Sequence, residues 1–358
     1  MWNGYNYYYE VNKTLIIYYK DEFAIDNNFK DKIIEFCKKD NKCNPEDIQY
    51  IRIHSSNSDK ISNRYEIKYI PEKLIELDFS GSKYIISDYH RKYYRTEKHV
   101  ISKVPDNLPE TLQILKCNDG FLTEIPDIKN IKHLNVSRNN IKSINLTDKL
   151  KYLNISNNPL TNNPFSDNSD FAIKYNNIKR LYISNCNFEN LVNIPQKLHN
   201  FDCSHNKLTS LNIDNMPLLK YVYASYNNLT SISYNNLPII KILYISYNNL
   251  TELPDFLPSK IVNFTCNNNK LTYLPNIINN KKLYELNVSN NNLIELSELP
   301  REIYSALNIS YNNIKFLSPH NFNILKKSHI KYPTTFYRND FKNNPFYEEF
   351  INTVETLN

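Results

Sequence analysis

Apolar residues recur along most of this chain at an uneven spacing that is then repeated with little change. In "ILYISYNNLTELP", residues 242–254, Leu243 and Ile245 alternate with Tyr244, the two-residue period of a short strand with one buried face. Two asparagines follow, then Leu250 and Leu253, and about twenty-one residues later the arrangement returns. Aligned on the asparagines, the pattern reads L-x-x-L-x-(I/V/C)-S-x-N-x-L. Eleven segments fit it, starting at Leu74, Leu112, Ile131, Leu150, Ile178, Leu198, Leu219, Ile240, Ile261, Leu283 and Tyr304. From residue 178 onward the steps are 20, 21, 21, 21, 22 and 21 residues. Two degenerate copies are expected beside these: "IQYIRIHSS" from Ile48, and a worn copy from Arg91 that keeps only its second half, "ISKVP".

One such strand cannot bury its apolar face alone, whereas copies stacked in parallel join their inward side chains into a continuous core. The first asparagine of each turn falls where the strand must bend away: Asn139, Asn158, Asn206, Asn227, Asn248, Asn269, Asn291 and Asn312. An amide there can donate to and accept from the backbone groups that the bend removes from the sheet. The spacing therefore predicts a structural asparagine ladder, while the second asparagine, such as Asn249, faces outward. The rest of the turn carries pairs such as Ile125-Pro126, Ile194-Pro195, Leu253-Pro254 and Leu274-Pro275. A period of 21 residues leaves little chain for a helix, and proline fixes φ and lacks an N–H. Mostly extended, polyproline-like or short 3-10 segments are expected on the convex side of a curved solenoid, with a parallel sheet on the concave side.

This organisation identifies a leucine-rich repeat solenoid, whose turns run about 20–29 residues. Residues 48–316 hold about thirteen turns, two of them degenerate. Residues 1–47 read as an N-terminal cap, with a strand near Leu15–Tyr18 and an amphipathic helix in "FKDKIIEFCKK". Residues 317–358 read as a C-terminal cap ending in "NPFYEEFINTV". The 28-residue step from 150 to 178 holds "NNPLTNNPFSDNSDF", an inserted loop. The texture of "NNLTELPDFLPSKIVNFTCNNNKLTYLP" resembles the short LP-type repeats of leucine-rich bacterial effectors, over roughly residues 48–316. The bias to Asn, Lys, Tyr and Ile resembles the leucine-rich repeat proteins of giant amoeba-infecting DNA viruses. The resemblance implies a protein-binding scaffold that works through its concave face and engages a host protein. Some bacterial relatives carry a ubiquitin-ligase domain with a cysteine nucleophile after the repeats. Here the residues after 316 contain no cysteine, so that activity is not carried over, and residues 1–47 show no F-box-like pattern.

Composition narrows the reading further. Gly4, Gly81 and Gly120 are the only three glycines and share no motif, which excludes a P-loop or dinucleotide fingerprint. Lysine outnumbers arginine by 35 to 8, the mark of an AT-rich genome. The net charge of +6 is spread along the chain, so acidic partners are permitted and nucleic acid is not demanded. The N-terminus "MWNGYNYYYEVNKTLIIYYKDE" lacks a basic region and a long apolar run, so no classical secretion signal and no membrane segment are expected. Spacing pairs none of the six cysteines into a disulfide framework, which predicts a cytoplasmic or otherwise intracellular protein. Cys117, Cys203 and Cys266 fall at an inward strand position, Cys186 replaces a ladder asparagine, and Cys37 and Cys43 belong to the cap.

Two surface features stand out. Lys132, Lys151, Lys179, His199, Lys220 and Lys241 occupy one repeat position in six consecutive turns. At about 4.8 Å per strand they would form a basic stripe of roughly 24 Å. Function and duplication of one ancestral lysine both account for it. Tyr221, Tyr223, Tyr226, Tyr244 and Tyr247 crowd the outward positions of two adjacent turns, the composition of a binding hot spot. Interleaved lysine and tyrosine also suit nucleic acid or another polyanion, the alternative reading. His199, Asp202, Ser204 and His205 suggest a catalytic or metal group. The histidines would lie roughly 20 Å apart on an extended chain, and nearly every turn has serine where Ser204 stands. No catalytic residue, metal site or cofactor is assigned.

Overall fold

The computed structural model describes residues 6–9, 13–19, 29–38, 43–55, 65–66, 70–80, 83–88, 91–96, 101–166, 175–301, 306–331 and 340–356. The chain divides into two compact units, residues 1–164 with 173–186, and residues 165–172 with 187–358. Both are parallel-sheet solenoids.

In the first unit, Asn6–Tyr9 runs antiparallel to Thr14–Tyr19, which lies parallel to Tyr50–Ser55. Glu76–Asp78, Ile114–Lys116, His133–Asn135, Tyr152–Asn154 and Arg180–Tyr182 follow, each parallel to the one before. In the second unit the same stacking joins Asn200–Asp202, Tyr221–Tyr223, Ile242–Tyr244, Asn263–Thr265, Glu285–Asn287 and Ala306–Asn308. The register sets core on core: Leu134 opposes Leu153, and Val222 opposes Leu243. In most of the three-residue strands the central residue is buried and its neighbours stay half-exposed, as in Tyr221–Tyr223 around Val222. Each fully buried leucine adds about 1.5–3 kcal/mol of stability. Beyond the strands, Ser210–Asn212 and Ser231–Ser233 pair in parallel as a second short sheet, so the far side of these turns is extended, as expected.

The asparagine ladder is present, but its rungs run from amide to backbone and not from amide to amide. Asn248 Nδ2 donates to Ile245 O and Ser246 O of its own turn and to Ala224 O of the preceding turn, at 3.0, 3.2 and 3.1 Å. Its Oδ1 accepts from Leu229 N of the preceding turn at 3.0 Å. Asn139, Asn158, Asn227, Asn291 and Asn312 repeat both halves of this pattern or most of it. Cys186, standing in for asparagine, donates its thiol to Ile155 O of the turn before, at 3.3 Å. The residue just before the ladder position is left-handed in turn after turn, with φ of 57° at Arg138, 53° at His205, 59° at Tyr226, 55° at Tyr247 and 57° at Asn268.

Three expectations need correction. The worn copy from Arg91 is not a turn of the solenoid. Glu76–Asp78 pairs directly with Ile114–Lys116, so no strand lies between them. Arg91–Thr96 instead runs antiparallel to Lys83–Asp88, and Ile101–Lys103 of "ISKVP" pairs with Tyr65–Glu66. The described solenoid thus has six repeat strands in each unit. Second, Cys37 and Cys43 form a disulfide, their Cα atoms 4.7 Å apart, within the usual span for such a bridge. Cysteine usage therefore gives no argument for a reducing compartment. The other four cysteines are buried and outside any disulfide, as anticipated.

Third, the repeat logic continues into the C-terminal cap. Asp340 N donates to Leu307 O, and Ile309 N donates to Asp340 O. Asn344 then takes the ladder position: its Nδ2 donates to Ile309 O and Phe341 O at 2.8 and 3.0 Å, and its Oδ1 accepts from Ile314 N. Helix α1 (Phe29–Lys38) and strand Thr14–Tyr19 lie where a helix and a strand were expected. At the other end α3 (Tyr347–Thr356) matches "NPFYEEFINTV", whereas α2 (Pro319–Lys331) was not anticipated. Residues 167–174 of the inserted loop lie outside the described residues.

Candidate partner-binding face

Side chains alternate along each strand, so those flanking the buried central residue are delivered to one outward face of the sheet. In the second unit Lys220 and Lys241 stand immediately before adjacent strands, with Lys241 N donating to Lys220 O at 2.8 Å. His199 precedes them at the same position; it is half-exposed, with a buried Nδ1 that has no hydrogen-bond partner. Tyr221 sits in register between Asn200 and Ile242. Tyr223 and Tyr244 meet edge to face at 5.5 Å. The Tyr244 hydroxyl donates to Glu285 Oε2 at 3.1 Å, and Asn263 Nδ2 donates to the same oxygen at 2.6 Å. Burial first, and then the Glu285 carboxylate, push the Tyr244 phenol up to about 12.

Tyr226 and Tyr247 form a separate aromatic column with a third ring that the sequence did not single out for it. His205 stacks on Tyr226 at 4.4 Å and 9°, and Tyr226 stacks on Tyr247 at 4.3 Å and 8°. All three occupy the left-handed position, where bulky residues cost about 1–2 kcal/mol relative to the right-handed backbone. Their identical place in three successive turns was the available signal. Asp202 and Ser204 have no catalytic arrangement: Asp202 Oδ1 accepts from Ser204 N and Oγ at 3.0 and 2.6 Å. Asn287 with Ser289 and Asn308 with Ser310 make the same local turn. No cluster of three or more metal-ligating side chains occurs among the described residues.

Lys132, Lys151 and Lys179 belong to the first unit, so the lysine column is divided three and three between the units. All three are exposed, and Lys132 Nζ donates to Gln113 Oε1 at 2.8 Å. The sheet face beside them is occupied by internal pairs. Lys116 Nζ lies 2.7 Å from Glu76 and 3.6 Å from Asp78, and Arg138 lies 3.2 Å from Asp119. His133 stacks on Tyr152 at 4.0 Å and 4°. Burial, and then the Lys116 charge, hold the His133 imidazole below its ordinary value of 6.5, against the opposing pull of Glu76 and Asp78. Below that pH the unfolded chain binds the proton more readily than the folded one. Stability is therefore expected to fall between pH 7 and pH 5, and His133→Gln to flatten part of that slope. Denaturant midpoints at the two pH values measure it; an unchanged slope in the variant refutes the assignment.

Residues 149–170 match the Leucine Rich Repeat family model. A leucine-rich repeat protein of Acanthamoeba polyphaga mimivirus is 28% identical over 155 residues, covering 40% of this chain and 35% of the relative. Among solved structures, YopM of Yersinia enterocolitica superposes with a TM-score of 0.53 at 23% identity, covering 83% of this chain and 64% of YopM. A leucine-rich repeat protein of Leptospira interrogans gives 0.56 at 20% identity, covering 84% of this chain and 73% of its own. The chain thus spans about a third of the viral relative and under two thirds of YopM. No helix among the described residues is long and apolar enough to cross a membrane. The chain has the leucine-rich repeat fold, as in YopM, and over 40% of its length a sequence similar to that of a mimivirus leucine-rich repeat protein.

Proposed function

We propose that the chain is a non-catalytic binding scaffold whose second unit receives an acidic protein partner on its outward, concave sheet face. The supporting observation is an imbalance of free charge. Lys207, Lys220, Lys241 and Lys270 have no carboxylate within ion-pair distance among the described residues. On the same face Asp202 and Glu285 are hydrogen-bonded by neutral groups, Ser204 and Tyr244 with Asn263, which leave their charges in place, so four lysines stand against two carboxylates. Lysines therefore flank an aromatic centre of Tyr221, Tyr223, Tyr226, Tyr244 and Tyr247, and a partner with carboxylates around an apolar core complements them. A host protein is the partner that the viral and effector resemblance suggests. In the first unit, Lys132, Lys151 and Lys179 form a basic column of that unit's own.

Geometry weighs against nucleic acid. Bases stack on open ring faces, but Tyr226 is covered on one side by His205 and on the other by Tyr247. The test is a nuclease-treated pull-down from cell lysate, wild type beside Lys220→Glu/Lys241→Glu. A discrete protein held by the wild type alone, and released as sodium chloride rises, is the expected result. Bound material that disappears on nuclease treatment would favour the polyanion reading instead.

A further inference from the structure

A cleft of about 400 Å³ opens on the second unit away from the strands, where three successive turns cross their far side. Its segments are 234–238, 256–259 and 276–280. Asn280 Nδ2 donates to Pro258 O at 2.9 Å and Asn276 N to Asp255 O at 2.9 Å, which tie the second and third segments together. Leu237 and Leu257, both buried, line it together with Phe256, which is 70% exposed.

Two properties of the lining define what can occupy it. First, apart from the Tyr234 phenol, no lining residue is ionisable, so neither a phosphate nor a carboxylate would find a counter-charge. Second, hydrogen-bonding capacity is left over: the Ser259 hydroxyl and the Asn279 amide make no hydrogen bond among the described residues. Tyr234 forms the floor: it is only 2% exposed, its hydroxyl is sealed from solvent, and burial pushes the phenol up, so the floor carries no charge.

We propose that this cleft binds a neutral saccharide unit. Amides and hydroxyls match sugar hydroxyls, while the uncovered Phe256 ring offers a flat apolar surface to the C–H face of a pyranose. The volume lies within the usual range for small-ligand sites, about 300–1,000 Å³. The site is independent of the strand face that carries the aromatic column.

Saturation-transfer NMR on the full chain, with maltotriose, cellobiose, N,N′-diacetylchitobiose and mannobiose at millimolar concentration, tests the assignment. At least one sugar is expected to receive saturation on its ring C–H protons. Phe256→Ala should weaken its binding about tenfold. Because Phe256 is exposed, that variant should keep the wild-type unfolding midpoint. No transfer to any of the four sugars overturns the proposal, as does transfer that Phe256→Ala leaves untouched.

Discussion

Asn248→Leu is expected to lower the unfolding free energy by about 3 kcal/mol. Leucine keeps the γ-branched shape of asparagine but is bulkier, so some overpacking adds to the loss of the amide's four hydrogen bonds. The carbonyls are partly provided for, because Ala224 O still accepts from Asn227 Nδ2 and Ile245 O from Asn269 Nδ2. Leu229 N–H is not: its acceptor was Asn248 Oδ1, and it is left buried and unpaired. That orphan donor carries most of the expected loss. Asn249→Leu is the control, since this neighbouring side chain is half-exposed and makes no hydrogen bond among the described residues; it should shift stability by under about 0.5 kcal/mol. Denaturant midpoints compare the two, and equal values would remove the ladder from the account of stability.

Tyr226→Ala combined with Tyr247→Ala is expected to weaken partner binding at least about a hundredfold, given roughly 2 kcal/mol or more for each hot-spot ring. The two rings are 46% and 44% exposed, so their loss takes little from the core. Alanine suffers the left-handed backbone as tyrosine does, so that term stays nearly constant. The pair is a cleaner probe than Tyr223 and Tyr244, because removing the Tyr244 hydroxyl also frees Glu285 to face the partner. His205→Ala, which uncovers one face of Tyr226, should give a smaller loss. Unchanged affinity in the double variant, measured by titration with the captured partner, refutes the aromatic column as a binding element.

The solenoid was legible because its signal is repeated: a strand of three residues means little once, and a great deal when Leu134, Leu153, Val222 and Leu243 recur in phase. Phase is also where the reading failed. The excursion after Phe79 breaks the period, and "ISKVP" imitates the second half of a turn, with Val104 buried as such a residue would be. Strand pairing, which no linear pattern records, shows that Leu77 lies directly against Leu115. Asn344 was missed for the opposite reason. The first half of its turn lacks the leucines, yet "DFKNNPF" keeps the strand exit and the asparagine. The face was half legible: periodicity put five tyrosines outward, but only coordinates separate the stacked column from the Tyr223–Tyr244 pair. The capture of Glu285 by Tyr244 joins residues 41 apart and leaves no mark in sequence. The cysteine bridge in the cap has no repeat behind it at all.

The rung made by Asn344 has an evolutionary corollary. A closing segment that presents the same donor and acceptor set as an internal turn does not depend on which turn precedes it. In-frame duplication or deletion of a single turn then leaves every interface chemically familiar. Such a chain can be lengthened or shortened over generations, shifting its aromatic column by whole turns along the surface, without the closing segment having to be invented again.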